Sequence, residues 1–417
     1  MDNNNTSQEI NSGSLKISVT SASGFSPVNN AKIQVANSGE PDIILEELST
    51  DSSGNTPSII LEAPPLKYSL EPSENQPYSE YNIKISAPDY DDEIITNIQI
   101  FPGENAIQQV ILVPSQPSPI YNPIVIPGHT LWEFYPPKIA EPEIKPTNAS
   151  GEIVLSRVVV PETIVVHDGV PSDTSANNYY VPYLDYIKNV ASCEIYTTWP
   201  DETIRANILA IMSFTLNRVY TEWYRNKGYN FTITSSTAFD HKWTYNKTIY
   251  TKISQIADEL YGNFLSRPNV KQPILTQYCD GKRVSCPNWM TQWGSKALGD
   301  DGLSAIQILR YYYGDDIYIN SAEIISGIPS SFPGYNLTIG TSGEPVITIQ
   351  EQLNRIAKNY PALPTVTVDG IYGRNTASSV EKFQEIFNLP ESGIVDYPTW
   401  YKISQIYVGV TKIGENL

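Results

Sequence analysis

The 417-residue sequence predicts a multidomain protein in three parts. These are an N-terminal antiparallel β-sandwich, a central α+β domain and a compact helical module at the C-terminus. Three observations predict this arrangement. The chain is about three times the length of a typical domain. Its hydrophobic pattern changes from a period of two near the N-terminus to helical spacing further along. A proline-rich stretch separates the two regimes.

The first part, residues 1–114, carries alternating apolar positions at Leu15, Ile17 and Val19, at Ile33 and Val35, and at Ile83 and Ile85. That is the period of half-buried strands. Turn signals such as Asp51-Ser-Ser-Gly54 and Pro102-Gly103 divide them. The segment also holds 16 Asp and Glu against 4 Lys and no Arg. Of the total net charge of −18, it therefore carries −12.

Residues 115–154 read as a linker or an extended strap. Prolines recur at 117, 119, 123, 127, 136, 137, 142 and 146, and proline favours extended backbone without donors. Trp132, Phe134 and Tyr135 are too aromatic for a free linker, so part of the stretch is expected to pack on a neighbouring domain.

Residues 155–330 mix strand and helix. Val158–Val166 is strand-like apart from Pro161. The strongest helix is predicted from Pro200 to Asn226, with Asp201 and Glu202 at the positive end of its dipole and Gly228 as its stop. Ile204, Ile208, Ile211, Thr215 and Val219 mark its buried face. Two further helices are predicted, Ile253–Leu265 and Gly302–Tyr313. The remainder, 335–417, contains an internal echo. Asp369-Gly-Ile-Tyr-Gly-Arg-Asn-Thr376 recurs loosely as Ser392-Gly-Ile-Val-Asp-Tyr-Pro-Thr399, which implies pseudo-repeated halves.

Composition excludes several roles. The acidic balance, with a pI near 4.6, argues against a nucleic-acid partner and against docking on anionic lipid. Three cysteines exclude a disulfide-dense scaffold. No stretch approaches the roughly 20 apolar residues of a membrane span. The start, MDNNNTSQEI, lacks the basic and apolar regions of a Sec signal peptide.

Candidate chemistry centres on Glu194. It follows an apolar helix-like stretch, precedes a helix start, and is flanked by Ile195, Tyr196 and Trp199. A carboxyl so placed suits general acid work. The plainer alternative is a local cap or a pair with Arg205. Cys279-Asp-Gly-Lys-Arg-Val-Ser-Cys286 leaves three states open: a disulfide, a metal site completed by His241, or free thiols. No metal site is assigned, and no cofactor is expected. Cys193 reads as a small buried hydrophobe. Gln277, Tyr278, Asn288, Trp289, Gln292 and Trp293 combine aromatic faces with amides in the manner of carbohydrate sites, and Ser235-Ser236-Thr237 offers hydroxyls to the same groove.

Resemblances sharpen these readings. The string from Ile349-Gln350 through Val368-Asp-Gly-Ile-Tyr-Gly373, Thr376, Val380, Phe383-Gln384 and Gly393 to Thr399-Trp400 resembles the peptidoglycan-binding type 1 family. That resemblance implies a three-helix wall-binding module, with Asp369, Tyr372, Arg374 and Asn375 as exposed contacts. The stretch Tyr183-Leu-Asp-Tyr-Ile-Lys-Asn-Val-Ala-Ser-Cys-Glu194, running into a helix after Pro200, resembles the SpoIID/LytB family. Its enzymatic branch comprises peptidoglycan lytic transglycosylases, and their catalytic glutamate falls on Glu194. The N-terminal sandwich resembles transthyretin-like or carboxypeptidase-regulatory modules.

Runs such as Arg205-Ala-Asn-Ile-Leu-Ala-Ile and Tyr278-Cys-Asp-Gly-Lys-Arg-Val-Ser-Cys-Pro-Asn-Trp-Met-Thr-Gln-Trp-Gly294, in this domain order, resemble the clostridial spore cortex-lytic enzymes (SleC type). That resemblance implies a zymogen held in the spore and acting on cortex peptidoglycan during germination. It also implies activation by a subtilisin-like protease that cuts between about 114 and 160. Two rivals stand beside it: a non-catalytic wall-binding or amidase-enhancing protein, and an N-acetylmuramoyl-L-alanine amidase.

Overall fold

The computed structural model describes residues 11–21, 26–115, 122–145, 157–322, 324–325 and 332–415. Its N-terminal part is two facing sheets. One has five strands in the order Ile44–Ser49, Lys32–Asn37, Ser79–Ser86, Glu93–Ile100 and Ile124–Val125. The other has the order Ile249–Tyr250, Asn105–Leu112, Ser12–Ser21 and Ile59–Glu62. Leu15, Ile17, Val19, Ile33, Val35, Ile83 and Ile85 are buried between them, as the alternation requires. At the predicted turn, Asp51 Oδ1 accepts from the N–H groups of Ser53 and Asn55. Gly54 takes φ +76°, and a Cβ there would meet the Val19 carbonyl at 2.3 Å.

The sandwich is mixed, which corrects the antiparallel expectation. Ser12–Ser21 and Asn105–Leu112 run parallel from Ser14–Asn105 to Ser21–Leu112. These are the first and last long strands of the segment, and the intervening strands supply the crossover that parallel pairing needs. Alternation of apolar residues fixes which face is buried but not strand direction. Two short strands from outside also join the sheets. Ile124–Val125 pairs with Glu93–Ile100, and Ile249–Tyr250 with Asn105–Leu112.

The central part is built around the helix Asp201–Tyr220. It is buried on nearly every side, not along one stripe, because the helices Tyr183–Glu194, Thr251–Glu259, Gln292–Asp300 and Ala305–Tyr313 and the strand Asn263–Ser266 surround it. Its buried polar side chains are partnered. Asn207 donates to Thr203 O and Ser295 Oγ, Ser213 to Ile274 O, and Asn217 to Pro273 O. The helix ends earlier than the predicted Asn226, because Glu222 takes φ +47° and breaks the ladder. The predicted Ile253–Leu265 helix likewise stops at Glu259, and Gly262 (φ +82°) turns the chain into a strand. Helix Ala305–Tyr313 starts later than predicted, at a capping box between Ser304 and Gln307.

Three helices, Glu344–Ala357, Arg374–Ile386 and Tyr397–Glu415, form the C-terminal module. The internal echo has a structural basis. Gln350 Oε1 accepts from Asp369 N–H and Gly370 N–H, and its Nε2 donates to Ile371 O and Thr376 Oγ1. Gln384 treats the second turn alike, accepting from Gly393 N–H and donating to Ile394 O and Thr399 Oγ1. Gly370 and Gly393 both have positive φ, which is why each copy of the turn holds a glycine there.

Candidate functional site

Glu194 is the last residue of the helix Tyr183–Glu194 and is 7% exposed. Its Oε1 accepts from the Lys242 N–H at 2.6 Å. Its Oε2 accepts from Gln292 Nε2 at 2.9 Å, and the same Nε2 donates to the Glu194 carbonyl at 2.6 Å. Arg205 pairs instead with Glu259 and Glu202, so the local-pair alternative for Glu194 is not what the fold builds.

The carboxylate lines a pocket together with Thr237, Tyr278, Asp280 and Gln292. Tyr278 is buried, stacks against His241 with ring centroids 5.8 Å apart, and lies beneath Lys138 Nζ at 4.7 Å. Burial and then the adjacent Glu194 carboxylate push its hydroxyl far above the ordinary tyrosine range. Burial likewise lowers the Lys138 ammonium, although Glu194 and Asp240 oppose the shift. Asp280 is occupied in its own loop, accepting from the N–H groups of Lys282 and Val284.

The strap closes this pocket. His129, Leu131, Tyr135, Pro136 and Lys138 also line it. Sequence reasoning singled out Trp132, Phe134 and Tyr135 as aromatics wanting a packing partner, and missed His129 and Lys138. Arg283 lies over the rings of Trp132 and Phe134 at 4.4 and 4.6 Å and donates from Nε to the Trp132 carbonyl. Arg283 sits in the loop closed by a disulfide between Cys279 and Cys286, the bridged state of the three left open. Cys193 is free and buried. Residues 116–121 and 146–156 of the expected processing region lie outside the described residues.

Other expected contacts fall elsewhere. Gln277 is buried and holds the strap, not open groove, because both ends of its amide are taken by strap backbone. Trp293 is buried among Tyr196 and Trp199 and donates to the Leu131 carbonyl; it is part of the core. Gln292 is spent on Glu194. Ser235 and Ser236 are half-buried in the turn leading to Asp240. Asn288 is exposed on a turn with φ +53° and Trp289 is half-buried, and neither reaches the Glu194 pocket.

In the C-terminal module Asp369, Arg374 and Asn375 are exposed. Tyr372 is fully buried, which corrects its expected exposure; its hydroxyl donates to Gly393 O at 2.9 Å and ties the two echoed turns together. Among the described residues, no helix is long and apolar enough to cross a membrane.

The architecture is that of a multidomain protein with a sheet-rich N-terminal part and a C-terminal helical region. Residues 342–403 of that region match the family model described as a peptidoglycan binding domain, type 1. The chain thus carries a C-terminal peptidoglycan-binding domain, which suggests a cell-wall-associated role. No curated protein matches the chain. Among solved structures it is similar to GBS52, the minor pilin in the Gram-positive pathogen Streptococcus agalactiae, at 12% identity and a TM-score of 0.19. That match covers 27% of this chain and 49% of the pilin, so it spans about half of that structure's length.

Proposed function

We propose that the protein is a peptidoglycan lytic transglycosylase made as a zymogen, with Glu194 as its acid and base. The observation that carries the reading is a buried carboxylate, oriented by two donors, in a pocket that the strap lines, on a chain with a wall-binding module; Asp280, in the same pocket, is spent on its own loop. Glu194 protonates the glycosidic oxygen between MurNAc and GlcNAc as the C1–O bond breaks. The resulting carboxylate takes the proton of the sugar's own C6 hydroxyl, whose oxygen closes on C1 to give a 1,6-anhydro ring. No water nucleophile enters, so the second carboxylate of an ordinary glycosidase is unnecessary.

On this reading the physiological substrate is spore cortex peptidoglycan, the chain resides in the spore, and a subtilisin-like protease cuts within 115–154 at germination. The test is digestion of cortex peptidoglycan by the full chain, before and after limited proteolysis, and by its Glu194→Gln variant, with products identified by mass spectrometry. Anhydro-muropeptides that depend on cleavage and on Glu194 are expected. Free stem peptides would instead indicate an amidase, and no product from any sample a non-catalytic wall binder.

A further inference from the structure

Residues 139–145 of the strap are gripped as a binding cleft grips an extended peptide. Two glutamine side chains read its main chain. Gln277 Oε1 accepts from the Glu141 N–H at 2.9 Å, and Gln277 Nε2 donates to the Ile139 carbonyl at 2.7 Å. Gln272 does the same further along, accepting from the Lys145 N–H at 2.7 Å and donating to its carbonyl at 3.3 Å. Between them the Leu275 N–H donates to Glu143 O, and at the near end the Ile139 N–H donates to Ala238 O. The contacts fall on residues 139, 141, 143 and 145. That alternation is one edge of an extended chain, the register by which strands are recognised.

Two arginines read its carboxylates. Arg218 Nη1 and Nη2 donate to the two oxygens of Glu141 at 2.9 and 2.7 Å. Arg267 Nε and Nη2 treat Glu143 in the same forked way. Both guanidinium groups are set by groups outside the strap. Asp240 and the Phe239 carbonyl hold Arg218, whose plane also packs on Phe214; Asp316 and the Tyr313 carbonyl hold Arg267. A fork fixed in advance selects carboxylate and spares the ligand the ordering cost. Arg218 is fully buried, so removing Glu141 would leave forked donors facing an empty cleft, which calls for another anion.

We infer that this cleft is a recognition site for an extended acidic peptide with carboxylates on alternate residues, and that residues 139–145 occupy it in cis. Resting on the wall-lytic reading, the occupant that succeeds the strap is the peptide arm of peptidoglycan, which carries free carboxylates on its acidic residue and at its C-terminus. A tethered segment competes at an effective concentration on the order of millimolar, so the native chain resists a ligand in trans.

The experiment measures fluorescence polarisation of a dye-labelled wall stem tetrapeptide against the full chain and against the full chain carrying Glu141→Gln and Glu143→Gln. Those substitutions keep the strap's main chain and remove both carboxylates. The peptide is expected to bind the double variant at least tenfold more tightly than the native chain. Amidating its carboxyl groups should abolish that binding, as should adding Arg267→Gln. No binding to the double variant, equal binding of the amidated peptide, or binding that survives Arg267→Gln would each overturn the inference. The digestion assay separates the two ideas: peptide binding to the double variant without any anhydro-muropeptides from the proteolysed chain sinks the catalytic reading and leaves the cleft standing.

Discussion

Gln292 holds Glu194 at two points, its Nε2 donating to the carbonyl at 2.6 Å and to Oε2 at 2.9 Å. The helix Tyr183–Glu194 ends there, so one amide both satisfies a terminal carbonyl and orients the terminal side chain. The Lys242 N–H fixes the other carboxylate oxygen. The carboxyl group is therefore held by neutral donors from two separate elements, the loop at Lys242 and the start of the helix Gln292–Asp300, and its position depends on both.

Gln292→Ala removes one of those donors and leaves two buried acceptors, the Glu194 carbonyl and Oε2, without it. It should cost about 1–3 kcal/mol of stability and, by letting the carboxyl drift, lower muropeptide release about a hundredfold. Thermal melting and the mass-spectrometric digestion assay read the two effects separately. Glu194→Gln keeps the shape and should abolish release, with a stability cost of about 1–3 kcal/mol because its NH2 must face an N–H donor where a carboxylate oxygen accepted. A Gln292→Ala chain that digests at the native rate would show that orientation of Glu194 is irrelevant.

Arg218 and Arg267 both fork onto the strap, yet their burial differs. Arg218 is inside, with Asp240 equally buried, while Arg267 and Asp316 reach solvent. Arg218→Met leaves the buried Asp240 without its cation and Glu141 with Lys145 alone, and should destabilise the chain by about 3–5 kcal/mol. Arg267→Gln should cost at most about 1 kcal/mol. Melting curves of the two variants that coincide would contradict the difference in burial.

The legible parts of this molecule are those set by local pattern. Leu15, Ile17 and Val19 announced a half-buried strand and Pro200-Asp-Glu a helix start, because period and capping act within a few residues. That Glu194 is a buried carboxyl at a helix end was legible from its apolar neighbours. The parallel pairing of Ser12–Ser21 with Asn105–Leu112 was not, since partners about ninety residues apart leave no local trace. Tyr372 and Gln277 were misread for a related reason. A tyrosine or glutamine has the same letter whether it meets a ligand or the far side of its own chain. His129 and Lys138 were missed because their partners, the Glu194 pocket and Asp240, lie far along the chain and leave no local trace.

Gln350 and Gln384 clamp equivalent turns of the C-terminal module through the same set of main-chain N–H, carbonyl and threonine partners. Each is fully buried, so Gln350→Ala and Gln384→Ala should each cost about 2–4 kcal/mol from several unmade hydrogen bonds. Loss of hydrogen-exchange protection at Gly370 and at Gly393 respectively, with sedimentation on purified wall falling in step, is the expected outcome. One variant behaving as the native chain while the other unfolds would mean the echo in sequence has no echo in energetics.

His129 gives the strap a dependence on pH whose sign follows from its surroundings. Burial first, then the positive charges of Lys247 and Lys242, hold its imidazole well below the ordinary range, with the Cys193 carbonyl opposing. The docked ring stays neutral, whereas a released strap exposes a histidine that takes up a proton below about pH 6.5. Below that value the released state binds more protons, so docking weakens as pH falls and is unaffected above it. One proton lost per unit predicts roughly tenfold more open strap at pH 5.5 than at pH 7.5. Glu141 adds to the loss only in stronger acid. Burial disfavours its charge, but Arg218 and Lys145 outweigh that and keep its carboxyl below the usual range. The measurement is the rate at which a general protease nicks the strap, corrected for the protease's own pH profile on an unfolded substrate. His129→Gln, neutral at every pH, should flatten the response between pH 5.5 and 7.5. A native rate that does not change over that range, or a slope that persists in His129→Gln, would remove His129 from control of the strap.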